Sequence, residues 1–330
     1  MISNIQILRA IAAILVVAFH TVPAAKSYNF STEFFYKVDI WGAAGVDIFF
    51  IISGFIMVYI QINKSKKPLD FIKDRVERIV PLYWFLTISI SILLVIFPQA
   101  FRELKLSGEH IFNSLFFINF LSEFDYPILY VGWTLEYEML FYIIFAFSLF
   151  FKNIKYSILT SILMLTIFVF YGLSSIVIEF IYGMLVGFFF KKIKINSIFC
   201  CIFILVGFYL LTVGWNKEIP RSLAWGLPSL LIFLGALYLN PIKNSLLATL
   251  GNASYSIYLV QVFSIPMCYK IFSKIGSLNF IYINEIYVII CIILSTIGGV
   301  LLHVAIEKPL AKIIKKIRQS RKSENIAVRS

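Results

Sequence analysis

The stretch IQILRAIAAILVVAFHTVP, residues 5–23, decides the fold. It is apolar apart from one glutamine, one arginine (Arg9), one histidine (His20) and one threonine. About 20 apolar residues cross a hydrocarbon layer of roughly 30 Å, so this run reads as a membrane span. The rest of the chain repeats the signal. Its 330 residues are 60% hydrophobic, 17% aromatic and 14% charged, with a mean hydropathy of +0.90. Soluble domains are nearer 45–50% apolar and about 25% charged. A disordered chain, a disulfide scaffold and a soluble nucleic-acid binder are excluded by that balance. What remains is an all-α polytopic membrane bundle. Ten spans are expected, near 5–23, 44–62, 79–98, 130–150, 156–173, 174–190, 197–213, 222–239, 250–268 and 283–304. Residues 110–121 are apolar but short, which suits a re-entrant or interfacial segment. Residues 1–310 form one membrane domain, and 311–330 a basic tail lying against anionic lipid.

The excess of 29 basic over 17 acidic residues is read as topological. With the N-terminus cytoplasmic, the inside segments collect 21 basic residues and the outside segments 8. Both termini are therefore expected in the cytoplasm. The small residues after Thr21 resemble a signal-peptide cleavage site. Arg9 and His20 within the apolar run instead favour a retained first helix. Cys200, Cys201, Cys268 and Cys291 form no metal-ligand spacing and read as small core residues. No metal site is expected.

Ionisable residues inside spans are costly and mark sites or pathways. Arg9 and His20 are eleven residues apart, which places them on one helix face about 16 Å apart along the axis. Imidazole suits proton transfer near neutral pH. Asp47 opens the second span, where it either orients His20 or stabilises its imidazolium, or is an outer N-cap or first-turn acid favoured by the helix dipole. Arg75 and Arg78, three residues apart, present two guanidiniums on one face, a phosphate-binding arrangement or ordinary positive-inside charge. Glu136 and Glu138 diverge by about 200° on a helix, so they do not form a paired-carboxylate site. Ser53 and Gly54 read as close-packing residues. His303 has Glu307 one turn on, a structural pair; His110 carries no motif.

Taken in order, these residues resemble the membrane acyltransferase 3 family, bacterial O-acyltransferases of surface and secreted polysaccharides. The resemblance rests on Leu8-Arg9 followed by His20, on Gly45-Val-Asp47 running to Ser53-Gly54-Phe55, and on Arg75-x-x-Arg78 with Pro81, Tyr83 and Trp84. It continues through Trp133-Thr134-Leu135 with Tyr137-Glu138-Met139, Leu250-Gly251-Asn252 to Tyr258-Leu259, and Glu307-Lys308-Pro309. The wording of the Tyr-Glu-Met motif is similar to the exopolysaccharide branch. Where many relatives carry a histidine after the ninth-span Tyr-Leu, this chain has Gln261.

The resemblance implies transfer of an acyl group, most often acetyl from acetyl-CoA, to a polysaccharide or lipid-linked glycan hydroxyl. Acetyl-CoA is a co-substrate, and no bound cofactor is implied. On that reading His20 is the base or nucleophile, with Glu138 and Asp47 as catalytic partners. Arg9, Arg75 and Arg78 hold the acyl-CoA, and Trp133 and Tyr83 sit at the acceptor. The competing class is a transporter of a polysaccharide precursor or small anion, which buried Arg, His, Asp and Glu would also suit. Internal repeats and Gly/Pro-broken helix pairs are not evident in the sequence.

Overall fold

The computed structural model describes residues 3–30, 32–35, 37–97, 106–213, 219–275 and 282–327. Arg102, Lys105, Lys217 and Arg329, which enter the charge count, lie outside the described residues. The helices are α1 (Ser3–Ser27), α2 (Val38–Trp41), α3 (Ala44–Asn63), α4 (Pro68–Ile96), α5 (Gly108–Leu115), α6 (Trp133–Ser148) and α7 (Ile154–Phe170). They continue with α8 (Ile178–Phe189), α9 (Ser197–Thr212), α10 (Leu227–Tyr238), α11 (Ser245–Asn252), α12 (Ser254–Ile275), α13 (Ile283–Leu302) and α14 (Lys308–Ala327). Among the described residues, six helices are long and apolar enough to cross a membrane. Four shorter apolar helices lie at the other expected spans: Ile154–Phe170, Ser175–Phe189, Ser197–Thr212 and Ser222–Tyr238. The chain is a multi-pass helical membrane protein.

Without a hydrophobic drive between helices in lipid, close backbone approach at small residues does much of the packing. Gly54 of α3 and Gly183 of α8 show it. A Cβ on Gly54 would lie 2.2 Å from the Phe180 carbonyl oxygen, and one on Gly183 2.0 Å from that of Ile51. The Gly54 reading is borne out. Gly45 seats α3 on α1 in the same way, 2.3 Å from the Ala12 oxygen. Apolar side chains turned away from the bundle, such as Leu205, Tyr209 and Leu301, are exposed, as a lipid-facing surface requires. Cys200, Cys268 and Cys291 are buried, whereas Cys201 faces outward.

The segment at 110–121 folds as α5 followed by a 3-10 turn, Asn119–Leu121, too short to span. Ser107 caps α5 by accepting the His110 amide at 3.0 Å. The tail begins as a true helix. A π-turn over His303–Glu307 joins α13 to α14, so position 310 falls within a continuing helix. Arg318 ties α14 to α4, with Nη1 2.5 Å from Asp74 Oδ1 and 3.1 Å from Glu77 Oε2. Lys66 also pairs with Asp74. The expected His303–Glu307 pair is present, with Nδ1 2.6 Å from Oε2, an oxygen that also accepts the Ser256 hydroxyl at 2.6 Å.

Candidate active site

A small cavity of about 70 Å³ lies between α1, α3, α4, α6 and α12. Its charged lining is Arg9, Arg78 and Glu138; its walls include Val46, Phe49, Phe50, Ile52, Ile56, Met57 and Ile79. Three helices from distant parts of the chain thus deliver one carboxylate and two guanidiniums to an apolar chamber. Glu138 Oε1 accepts two hydroxyls, Ser53 at 2.6 Å and Tyr142 at 2.5 Å. Ser53 is therefore more than a packing residue, since it helps hold the cavity's carboxylate. Arg9 is 7% exposed, with Nη1 3.3 Å from Gln6 Oε1. One carboxylate against two guanidiniums leaves an excess positive charge in a low-dielectric chamber, an arrangement that favours an anionic guest.

Arg78 also lines a second opening, a groove of about 350 Å³ between α4 and α14 with Asp74, Glu77, Glu307, Lys315 and Arg318 on its walls. One guanidinium is thus shared by a surface groove and a buried chamber. Arg75 behaves differently. It is buried away from the cavity lining, its guanidinium carbon lies 6.0 Å from the ring centres of both Phe71 and Tyr142, and its Nε and Nη1 meet no acceptor among the described residues. The structure therefore brings Arg9, Arg78 and Glu138 together and sets Arg75 behind Tyr142.

His20 is not in the lining of this cavity. The lining does include Phe49, Thr134 and Tyr258. The Tyr258 hydroxyl bonds Thr134 Oγ1 at 2.8 Å and the Val131 carbonyl at 2.8 Å. The His20 ring stands edge-on to Phe19 and Tyr130. Its Nδ1 is 3.0 Å from the Val16 carbonyl oxygen and 3.1 Å from Gln261 Oε1.

Asp47 does not orient His20. It is fully buried, and both of its oxygens are held by Arg221, from Nε at 3.2 Å and Nη2 at 2.7 Å. Arg221 further donates to the Ala43 carbonyl at 3.4 Å and lies 4.4 Å from the Trp225 ring centre. Glu179, also fully buried, is beside them: a Cβ on Gly226 would meet its Oε1 at 3.1 Å. Asp47 is an acid in the first turn of α3, as the sequence allows, but its carboxylate is given over to Arg221 and not to His20. In the sequence Arg221 is one of the eight basic residues of the outside segments.

Tyr83 is corrected as well. It is fully buried, its hydroxyl donates to the Ser114 carbonyl at 3.1 Å, and its ring packs on Gly132. No face remains for an acceptor sugar; Tyr83 holds the α5 segment in place. Trp84 does the same through Nε1, 2.8 Å from the Leu115 oxygen. The divergence of the two glutamates is borne out. Glu138 faces the cavity, while Glu136 accepts the amides of Asn119 and Phe120 at 3.1 and 3.0 Å. Trp133 is half-buried against Tyr137, with ring centres 5.9 Å apart, and is not in the cavity lining.

Comparison with known proteins places this geometry. A family model described as an acyltransferase domain matches residues 2–304. The chain belongs to this acyltransferase family. It is similar to the exopolysaccharide production protein ExoZ of Rhizobium meliloti (strain 1021), 34% identical, with 82% of this chain and 90% of the relative covered. No solved structure matches the chain. The match runs through α1 to α13, so Arg9, His20, Arg78, Glu138 and Gln261 all fall within it.

Proposed function

We propose that this membrane acyltransferase resides in the bacterial inner membrane with both termini cytoplasmic. It moves acetyl from acetyl-CoA to a hydroxyl of an exported polysaccharide or its lipid-linked precursor. The observation that carries the reading is the double exposure of Arg78, to the groove beneath α14 and to the buried cavity. A donor with a polyanionic head and a long thin arm needs that combination. Guanidiniums hold phosphates by charge and fork geometry, and an apolar passage accepts the arm. Arg9 and Arg78 serve the head, and the chamber lined by Phe50, Ile52 and Met57 serves the arm.

In the reaction the thioester C–S bond breaks and an ester C–O bond forms. The hydroxyl proton passes to His20, and the thiolate leaves towards the basic end, where it takes a proton. His20 is outside the cavity lining, so proton transfer to it requires that lining to rearrange. Glu138, steadied by Ser53 and Tyr142, balances part of the guanidinium charge while the donor is absent. Trp133 stands on the acceptor side, and the basic face of α14 meets anionic lipid. The printed role of the relative, exopolysaccharide production, supports a glycan acceptor.

The direct test is the acetyl content of exported polysaccharide from cells with and without the chain, with Arg78→Ala as a third arm. Acetyl groups that depend on the chain and on Arg78 support the reading. Unchanged polysaccharide at equal protein level contradicts it.

A further inference from the structure

Among the described residues, the hydrogen bonds to the His20 ring fall on Nδ1 alone. Two oxygens converge on Nδ1, the Val16 carbonyl at 3.0 Å and Gln261 Oε1 at 3.1 Å. Neither oxygen can donate, so the bonds exist only if Nδ1 carries the proton, which leaves the lone pair on Nε2. The amide's own orientation is not free to reverse. Gln261 Nε2 lies 2.7 Å from the Tyr258 carbonyl oxygen. Turning the amide would set oxygen against oxygen there and nitrogen against the Nδ1 hydrogen. Gln261 is fully buried, so a reversed amide would leave buried polar atoms unpaired.

The two oxygens are not equivalent. Val16 lies four residues before His20 within α1, so its carbonyl already takes the helical amide of His20. The Gln261 oxygen is the partner given over to the ring. Gln261 also connects His20 to the cavity wall. Tyr258, whose carbonyl anchors the amide, presents its side chain to the chamber one turn earlier on α12.

We infer that Gln261 is a positioning residue for acyl transfer: anchored on the Tyr258 carbonyl, it holds His20 as the Nδ1–H tautomer and leaves Nε2 as the nitrogen that takes the acceptor proton. Its value to catalysis rests on the acetyl-transfer reading above, whereas the tautomer does not. When the ring becomes positively charged on accepting the proton, the Gln261 oxygen opposite Nδ1–H stabilises it further. The aromatic edges of Phe19 and Tyr130 restrict the ring's swing, so the free nitrogen keeps one direction.

Nitrogen NMR of ¹⁵N-histidine-labelled full-length protein in lipid nanodiscs tests this without a turnover assay. His20→Gln assigns the His20 signals. His110, whose Nε2 faces the Tyr126 carbonyl at 2.9 Å, supplies the opposite tautomer as an internal reference. In the parent, His20 should show a protonated Nδ1. Gln261→Leu, which keeps bulk and removes the acceptor, should reveal an Nε2–H population. Gln261→Glu, which still offers an oxygen, should keep Nδ1 protonated.

Acetyl transfer measured alongside should fall about three- to tenfold in Gln261→Leu, the loss of one hydrogen bond, with half-saturation by acetyl-CoA unchanged. An Nε2–H ring in the parent overturns the inference. So do Gln261→Leu signals that match the parent, whatever turnover does. A changed tautomer with parental turnover keeps the positioning and removes its part in transfer. Absence of transfer in the parent rejects the acetyl-transfer reading and leaves the tautomer result standing.

Discussion

Arg221 grips Asp47 with two nitrogens, Nε at 3.2 Å and Nη2 at 2.7 Å, across 174 residues of chain. The acid is completely buried, and Glu179 is buried next to it. Two helices are thereby pinned at one point: α3 carries the acid, and the π-turn after Arg221 leads into α10. A buried charge without its partner is far more costly than the pair is valuable.

Removing either partner should therefore unfold rather than merely inactivate. Asp47→Asn and Arg221→Leu are each expected to cost about 3–5 kcal/mol. The double variant should recover much of that. Thermal unfolding in detergent checks it, and a double variant as unstable as the sum of the singles speaks against the pair.

The donor prediction separates two arginines that the sequence places on one face. Arg78 reaches both openings, whereas Arg75 lies behind Tyr142. Arg78→Ala should weaken acyl-CoA binding by roughly 1.5–3 kcal/mol, the loss of a charge-assisted contact. Arg78→Lys should recover only part of it. Arg75→Ala should disturb stability more than donor affinity. Calorimetric titration of the purified variants with acetyl-CoA gives the ranking, and equal losses at both positions would refute it.

Tyr83→Phe isolates the support of the α5 segment. The ring stays and only the bond to the Ser114 carbonyl is lost. A cost of about 1 kcal/mol in stability is expected, with acceptor dependence of transfer unchanged. A raised acceptor half-saturation without loss of stability would return Tyr83 to the acceptor site.

Much of the fold is legible in residue order because lipid imposes one rule: long apolar runs become helices with internally satisfied backbones. Gly54 could be read as a packing residue because small residues set helix approach. The divergence of Glu136 and Glu138 follows from helical pitch alone. What could not be read is which distant helix faces which. Arg221 looks like any loop cation until α3 is packed against the turn that bears it. Gln261 looks like a lost histidine until its amide is seen between Tyr258 and His20. Tyr83 shares a motif with Arg75 and Arg78, yet its hydroxyl points at a segment more than thirty residues later. In each case the partner is set by tertiary packing, and local periodicity carries no trace of it.

The central claim is that His20 takes the acceptor proton during acyl transfer, and the most direct measurement is label transfer by His20→Gln. Glutamine keeps hydrogen bonding and approximate size, so insertion and acetyl-CoA binding should match the parent. Transfer of labelled acetyl to polysaccharide should fall by about 10² to 10⁴, the usual contribution of a general base. A His20→Gln protein that binds acetyl-CoA and transfers acetyl within a few-fold of the parent would contradict the account.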